Sequence, residues 1–140
     1  VLDPGINALS ILTEVLPTPV HLKSAVLHTP ANRQTPIQAE MRFSGGITAS
    51  FDWLKEGIQT WEQRFVATDG TTVHLLEGGN RCSVDGIAQP VSELGEYPAL
   101  YARMSHLVRT GTSDVDLSPM VHVSDIMTLG RRETAPAFEW

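Results

Sequence analysis

Between residues 38 and 53 the chain has one strongly preferred local structure, a β-hairpin. Ala39, Met41 and Phe43 alternate with Gln38, Glu40 and Arg42. Gly45-Gly46 interrupts, and Ile47, Ala49, Phe51 and Trp53 then alternate with Thr48, Ser50 and Asp52. A period of two sends successive side chains to opposite faces of a strand. Paired glycines supply the positive φ that a two-residue hairpin turn requires. The pattern predicts antiparallel strands with one covered and one more polar face.

The same alternation continues downstream. Lys55 to Gly57 breaks it, and Trp61 to Thr68 resumes it, with Phe65 and Ala67 on the parity of Trp61. Asp69-Gly70 is a hairpin signal. Thr71 to Leu76 follows, with Val73 and Leu75 inward, and then a turn at Glu77 to Asn80. Arg81 to Asp85 is a short strand with Cys82 and Val84 on one face. Upstream, Val20 to His28 reads as a strand, and Thr29 to Pro36, with two prolines, as a loop.

Both ends of the chain change to a helical period. Ala8, Ile11, Leu12 and Val15 follow i, i+3, i+4, i+7 spacing, which predicts a helix over residues 4–16. Asp3 can cap it, Pro4 suits its first position, and Pro17 and Pro19 end it. Tyr97, Leu100, Tyr101, Met104, Leu107 and Val108 form a second apolar stripe ending near Gly111. Ser118 can cap a third helix with Pro119 at its first position and Val123, Ile126 and Met127 on its buried side. Gly130 closes it, and Arg131 and Arg132 suit its negative end. The tail from Glu133 is expected to be extended. Helices flanking a run of hairpin-joined strands predict an α+β fold: residues 1–140 as one domain, an open, mostly antiparallel sheet with helices on one face.

Composition narrows the function. The chain of 140 residues is 41% hydrophobic and 19% charged, as folded globular proteins are. Its net charge is −6, and its longest basic run is the pair Arg131-Arg132, which disfavours nucleic-acid binding. No apolar run approaches the roughly 20 residues of a membrane helix. The single cysteine, Cys82, allows no intrachain disulfide and fits a cytoplasmic location. Five scattered histidines lack metal-ligand spacing, so no metal is expected. GxGxxG, GxSxG and P-loop motifs are absent from the sequence.

The residues that stand out are Asp3 and Asn7. Four-residue spacing puts their side chains side by side at a helix N-terminus, where a carboxylate and an amide can hold a polyhydroxylated ligand. By pattern alone Asp3 is a cap, Asn7 an ordinary helix residue, and Trp53 and Trp61 core or interface aromatics. Asp52 and Glu56 read as solvated strand-end charges, and Cys82 as a sheet residue rather than a nucleophile.

Asp3-Pro4-Gly5-Ile6-Asn7 resembles a motif of the Gfo/Idh/MocA oxidoreductases, the family of glucose–fructose oxidoreductase and inositol dehydrogenase. Many members read Asp-x-Gly-x-x-His or Asp-x-Gly-x-His there. With Phe51-Asp52-Trp53 and Gln59-Thr60-Trp61, the segment is most similar to the sugar 1-dehydrogenase branch, which acts on aldoses such as D-galactose and L-arabinose. The stretches Glu96-Tyr97, Val115-Asp116 and Gly130-Arg131 fit the family's closing helices.

The resemblance implies a two-domain enzyme of which this chain is the second, substrate-binding domain. The first would be a Rossmann domain holding NAD or NADP and the acid/base lysine of a Glu-Lys-Pro segment. Neither is in this sequence, whose lysines are Lys23 and Lys55 alone. The implied reaction is oxidation of an aldopyranose at C1 to an aldonolactone. Asp3, Asn7, Trp53 and Trp61 would bind the sugar, and no catalytic residue would lie in the chain. Asn7 replaces the frequent histidine; an amide positions but does not relay a proton at neutral pH. Family members often pair through the sheet, so a homo-oligomer is expected. Two alternatives remain: a non-catalytic dimerisation module with an exposed sheet face, or another sugar or inositol oxidoreductase of the same superfamily.

Overall fold

The structure, a computed structural model, describes residues 2–91 and 95–139, with the side chains of Leu2, Asp3 and Pro4 excepted. It is α+β: helices α1 (Leu2–Val15), α2 (Glu96–Thr110) and α3 (Ser118–Leu129), and strands β1 (Leu22–Pro30), β2 (Gln38–Phe43), β3 (Thr48–Asp52), β4 (Glu62–Val66), β5 (Thr72–Leu76), β6 (Arg81–Val84), β7 (Ile87–Gln89) and β8 (Arg131–Ala135). The chain divides into two compact units, Val1–Glu56 with Asp116–Trp140, and Gly57–Val115.

The first unit holds a four-stranded sheet in the order β3-β2-β1-β8. The predicted hairpin forms β2 and β3, but its turn is one residue longer than the glycine pair suggests. Phe43 N–H bonds to Ile47 O at 2.8 Å, so Ser44-Gly45-Gly46 makes the bend, with φ of 71° and 77° at the glycines. Alternation along β2 is strict: Ala39, Met41 and Phe43 are buried, while Glu40 and Arg42 are exposed. Register lines up Leu27 with Ala39 and Ala25 with Met41, so β1 and β2 cover the same face. Leu9 and Leu12 of α1 and Ile126 of α3 complete that core. Each buried aliphatic side chain of this kind contributes about 1.5–3 kcal/mol relative to exposure.

One pairing departs from the hairpin pattern. β8 runs parallel to β1, with Val26 beside Arg131 and Pro30 beside Ala135. This partner, about a hundred residues away, carries β1 two residues past His28, the predicted end. Pro30 is tolerated because it closes the strand and need not donate to the ladder there. The chain enters β8 through Gly130. A Cβ at Gly130 would sit 2.4 Å from the Ile126 carbonyl oxygen and 3.1 Å from the Leu27 side chain. Glycine is needed there for close approach, not for the left-handed conformation usual at helix ends, since ψ is 133° at φ −64°.

The second unit holds an antiparallel meander, β4-β5-β6-β7, and helix α2. The sequence predicts one sheet; the structure builds two, separated at the Lys55–Gly57 break, where the alternation stops and Gly57 takes φ 82°. Strand β7 has no counterpart in the sequence reading. Its signal is Asp85-Gly86, with φ of 49° and 79°, the dipeptide and the two positive φ values that a two-residue hairpin turn requires. At the β4–β5 turn, Asp69 accepts the Thr71 N–H at 2.9 Å, which holds its carboxyl below its ordinary value.

Helix α2 ends as predicted at Gly111, in the left-handed region, its N–H directed at the Leu107 and Val108 carbonyls. Its apolar stripe is open: Tyr97, Leu100, Tyr101, Met104 and Val108 are 53–70% exposed. Among the described residues no helix is long and apolar enough to cross a membrane.

Candidate functional site

The first turns of α1 are positioned by a glycine. A Cβ at Gly5 would lie 3.3 Å from the Phe51 ring. Gly5 therefore lets the start of α1 settle directly on β3, the edge strand. Below this contact the core is nearly filled, with a void of about 20 Å³ among Leu9, Leu27, Ala39, Met41 and Ile126. Such packing makes a rigid platform.

Asn7 stands two residues beyond Gly5, on an exposed part of α1. Its backbone carbonyl accepts the Ser10 hydroxyl at 2.8 Å, while its side-chain amide has no hydrogen bond among the described residues. Asp3 lies within the first turn rather than at the cap, because Leu2 is already helical. The Asp3 side chain lies outside the described residues. Two residues past Phe51, on the same strand parity, comes Trp53, its N–H bonded to Ile37 O at 2.9 Å and its side chain 49% exposed. The close approach at this end of α1 is that of Gly5 to Phe51; Asn7 lies about 200° further round the helix.

Trp61 belongs to the second unit, immediately before β4. It is half-buried, and its carbonyl accepts the Glu77 N–H at 3.0 Å. Asp52, read from sequence as a strand-end charge, is a turn-former: its Oδ1 accepts the Gln38 amide at 3.0 Å and the Leu54 N–H at 2.9 Å. Among the described residues no three His, Cys, Asp or Glu side chains gather as a metal ion requires. Two histidines pair with carboxylates, His28 with Glu133 at 3.6 Å and His74 with Glu62 at 3.1 Å.

The start of α3 is organised differently from the sequence expectation. Asp116, not Ser118, is the capping acceptor: its Oδ1 takes the Ser118 N–H at 2.9 Å and the Ser118 hydroxyl at 2.7 Å. These bonds, the hydroxyl's first, hold the Asp116 carboxyl below its ordinary value. The buried face of α3 is Pro119, His122 and Ile126, with Val123 and Met127 at its half-buried margin. His122 escapes an apolar-only reading of the helix, although its place four residues before Ile126 marks it as inward.

No protein-family model matches the chain. A galactose 1-dehydrogenase of Pseudomonas fluorescens is 40% identical over 142 residues, covering 99% of this chain and 46% of the relative. The crystal structure of D-galactose-1-dehydrogenase from Rhizobium etli superposes with a TM-score of 0.89 at 42% identity, over 99% of this chain and 45% of that one. KijD10, a 3-ketoreductase from Actinomadura kijaniata solved with NADP, matches over 96% of this chain and 48% of its own at a TM-score of 0.66; at 15% identity it shares the fold alone. The chain spans a little under half the length of each of these proteins. Over nearly all of its own length it is a homologue of the galactose 1-dehydrogenases.

Proposed function

We propose that this chain is the substrate-binding domain of a nicotinamide-dependent sugar 1-dehydrogenase. The parent enzyme oxidises an aldopyranose at C1 to the aldonolactone, with the hydride passing to NAD or NADP. The observation that carries the proposal is the identity of 40–42% to galactose 1-dehydrogenases across 99% of the chain.

The described residues do not themselves fit a dinucleotide. Their one parallel strand pair, β1 with β8, has no glycine-rich strand-to-helix turn between its members, and such a turn is what cradles a pyrophosphate. No step through the cofactor is assigned to this chain, whose own share is the sugar. Asn7 offers one amide donor pair and one acceptor to adjacent sugar hydroxyls, and its helix is fixed against β3 through Gly5. Asp3, on the same helix face, is the proposed carboxylate acceptor. Trp53 presents an aromatic surface to an apolar sugar face and helps to exclude water. The assignment of Trp61 to the substrate rests on the resemblance of the segment Gln59-Thr60-Trp61.

The proposal is tested with aldoses and both cofactors. The full-length enzyme containing this chain is expected to form reduced cofactor with one of galactose, arabinose, fucose or xylose. The 140-residue chain alone is expected to form none. Turnover by the chain alone would contradict the proposal, as would a full-length enzyme inert toward every aldose.

A further inference from the structure

The tail that follows β8 is clasped to the first unit by one side chain. The ladder of β8 with β1 runs as far as Ala135, whose carbonyl also accepts the Ala31 N–H at 3.0 Å. Pro136 comes next, and proline has no N–H with which to extend a ladder. Three residues beyond Ala135 the pairing resumes, through a side chain instead of a strand. The Asn32 amide, in the loop between β1 and β2, accepts the Phe138 N–H at 2.9 Å through Oδ1 and donates to the Phe138 carbonyl at 3.1 Å through Nδ2. A single amide thus does what a neighbouring strand does, taking both the donor and the acceptor of one residue. Nδ2 also donates to Glu139 Oε1 at 2.8 Å, and Arg33 stands 3.7 Å from the same carboxylate.

The two sides of this clasp differ in firmness. On the loop side, the Arg33 N–H closes a turn onto the Pro30 carbonyl at 3.0 Å, and Pro30 is fully buried. On the tail side, Pro136, Ala137 and Glu139 are exposed and Phe138 is half-buried. Segments that bury little surface and rely on exposed hydrogen bonds open locally at small cost.

The bonds of the Asn32 amide are exposed, and each such bond shifts an equilibrium about two- to tenfold. The Arg33–Glu139 pair, open to water, adds little. Beside the tail, β1 is anchored by the fully buried Leu27 and paired on both edges, with β2 and with β8. The tail therefore has a low opening cost next to a sheet with a high one. We propose that residues 136–139 form a strap that opens and closes while the sheet stays intact, with Asn32 as its latch.

Amide hydrogen exchange in the full chain, followed residue by residue by NMR, tests this. The Phe138 N–H is expected to exchange about 10–100-fold more slowly in wild type than in Asn32→Ala, the scale of the lost bonds. It is also expected to exchange far faster than the Leu27 N–H, which is released only when the sheet opens. Asn32→Ala is expected to leave Leu27 exchange unchanged, which shows that the variant is folded. Asn32→Asp keeps the acceptor for Phe138 but removes both donors and sets a carboxylate against Glu139, so it is expected to lose most of the protection. Equal Phe138 exchange in wild type and a folded Asn32→Ala protein overturns the latch, as does an Asn32→Asp protein as protected as wild type. Phe138 exchange as slow as that of Leu27 overturns the strap, because the tail would then open only with the whole sheet.

Discussion

Gly130 fills a place that no side chain could take, whereas a β-carbon at Gly5 would only crowd the Phe51 ring. At Gly130 any β-carbon meets backbone oxygen 2.4 Å away, and backbone cannot yield as a flexible side chain does. Gly130→Ala is expected to destabilise the fold by about 1–3 kcal/mol, the range for forcing an extra methyl into a packed site. Denaturant unfolding checks this, and an unchanged midpoint would mean the α3–β8 joint is slack. Asp116 offers a test of a different kind. Its carboxyl is held below its ordinary value, so it stabilises the folded chain above the ordinary carboxylate range, and the effect is lost as pH falls through the lower folded value. Asp116→Ala is expected to lower the melting temperature near neutral pH, and the gap to wild type is expected to close in strong acid. A gap independent of pH would remove the carboxylate from the cap.

At the scale of elements, local period carried far. The strict alternation in β2 reported its own burial residue by residue, and the Pro, Gly and apolar spacing of all three helices located them to within one or two residues. The failures have physical causes. β7 follows an Asp-Gly turn whose three-residue partner strand is too short to show a period. The extension of β1 to Pro30 depends on β8, a parallel neighbour that only tertiary structure brings close. Ser118 looked like a cap because serine often is one, whereas Asp116 two residues earlier has the carboxylate that satisfies it. The β1–β2 layer is the element most sensitive to truncation. Leu27 is fully buried between Gly130 and the register partner Ala39. Leu27→Ala is expected to cost about 2–5 kcal/mol in unfolding experiments, and a cost under about 1 kcal/mol would show that this core can collapse around the gap.

For the whole molecule, the sequence conveyed the α+β class but not the partition into two sheets, since an interruption such as Lys55–Gly57 fits a loop within one sheet as well as a boundary between two. The open stripe of α2 marks the limit of reading burial from amphipathic spacing: spacing says which residues share a face, not whether anything covers it. The candidate site was legible in part. The Asp3-Pro4-Gly5-Ile6-Asn7 run pointed to α1, but that Gly5 seats the helix on Phe51 needed coordinates. His122, buried and with no hydrogen bond to its Nδ1 among the described residues, belonged to no motif, and only its spacing from Ile126 hinted that it faces inward.

Homology to galactose 1-dehydrogenases covers the chain while the chain covers under half of them. The claim that matters most is therefore that this half holds the sugar, with Asn7 in contact with it. The direct test is kcat/KM for the preferred aldose in the full-length enzyme carrying Asn7→Ala, with thermal unfolding as the control for folding. The expected result is a fall equivalent to about 1–3 kcal/mol at unchanged stability, the loss of an oriented hydrogen bond to the reacting sugar. An unchanged kcat/KM would contradict it.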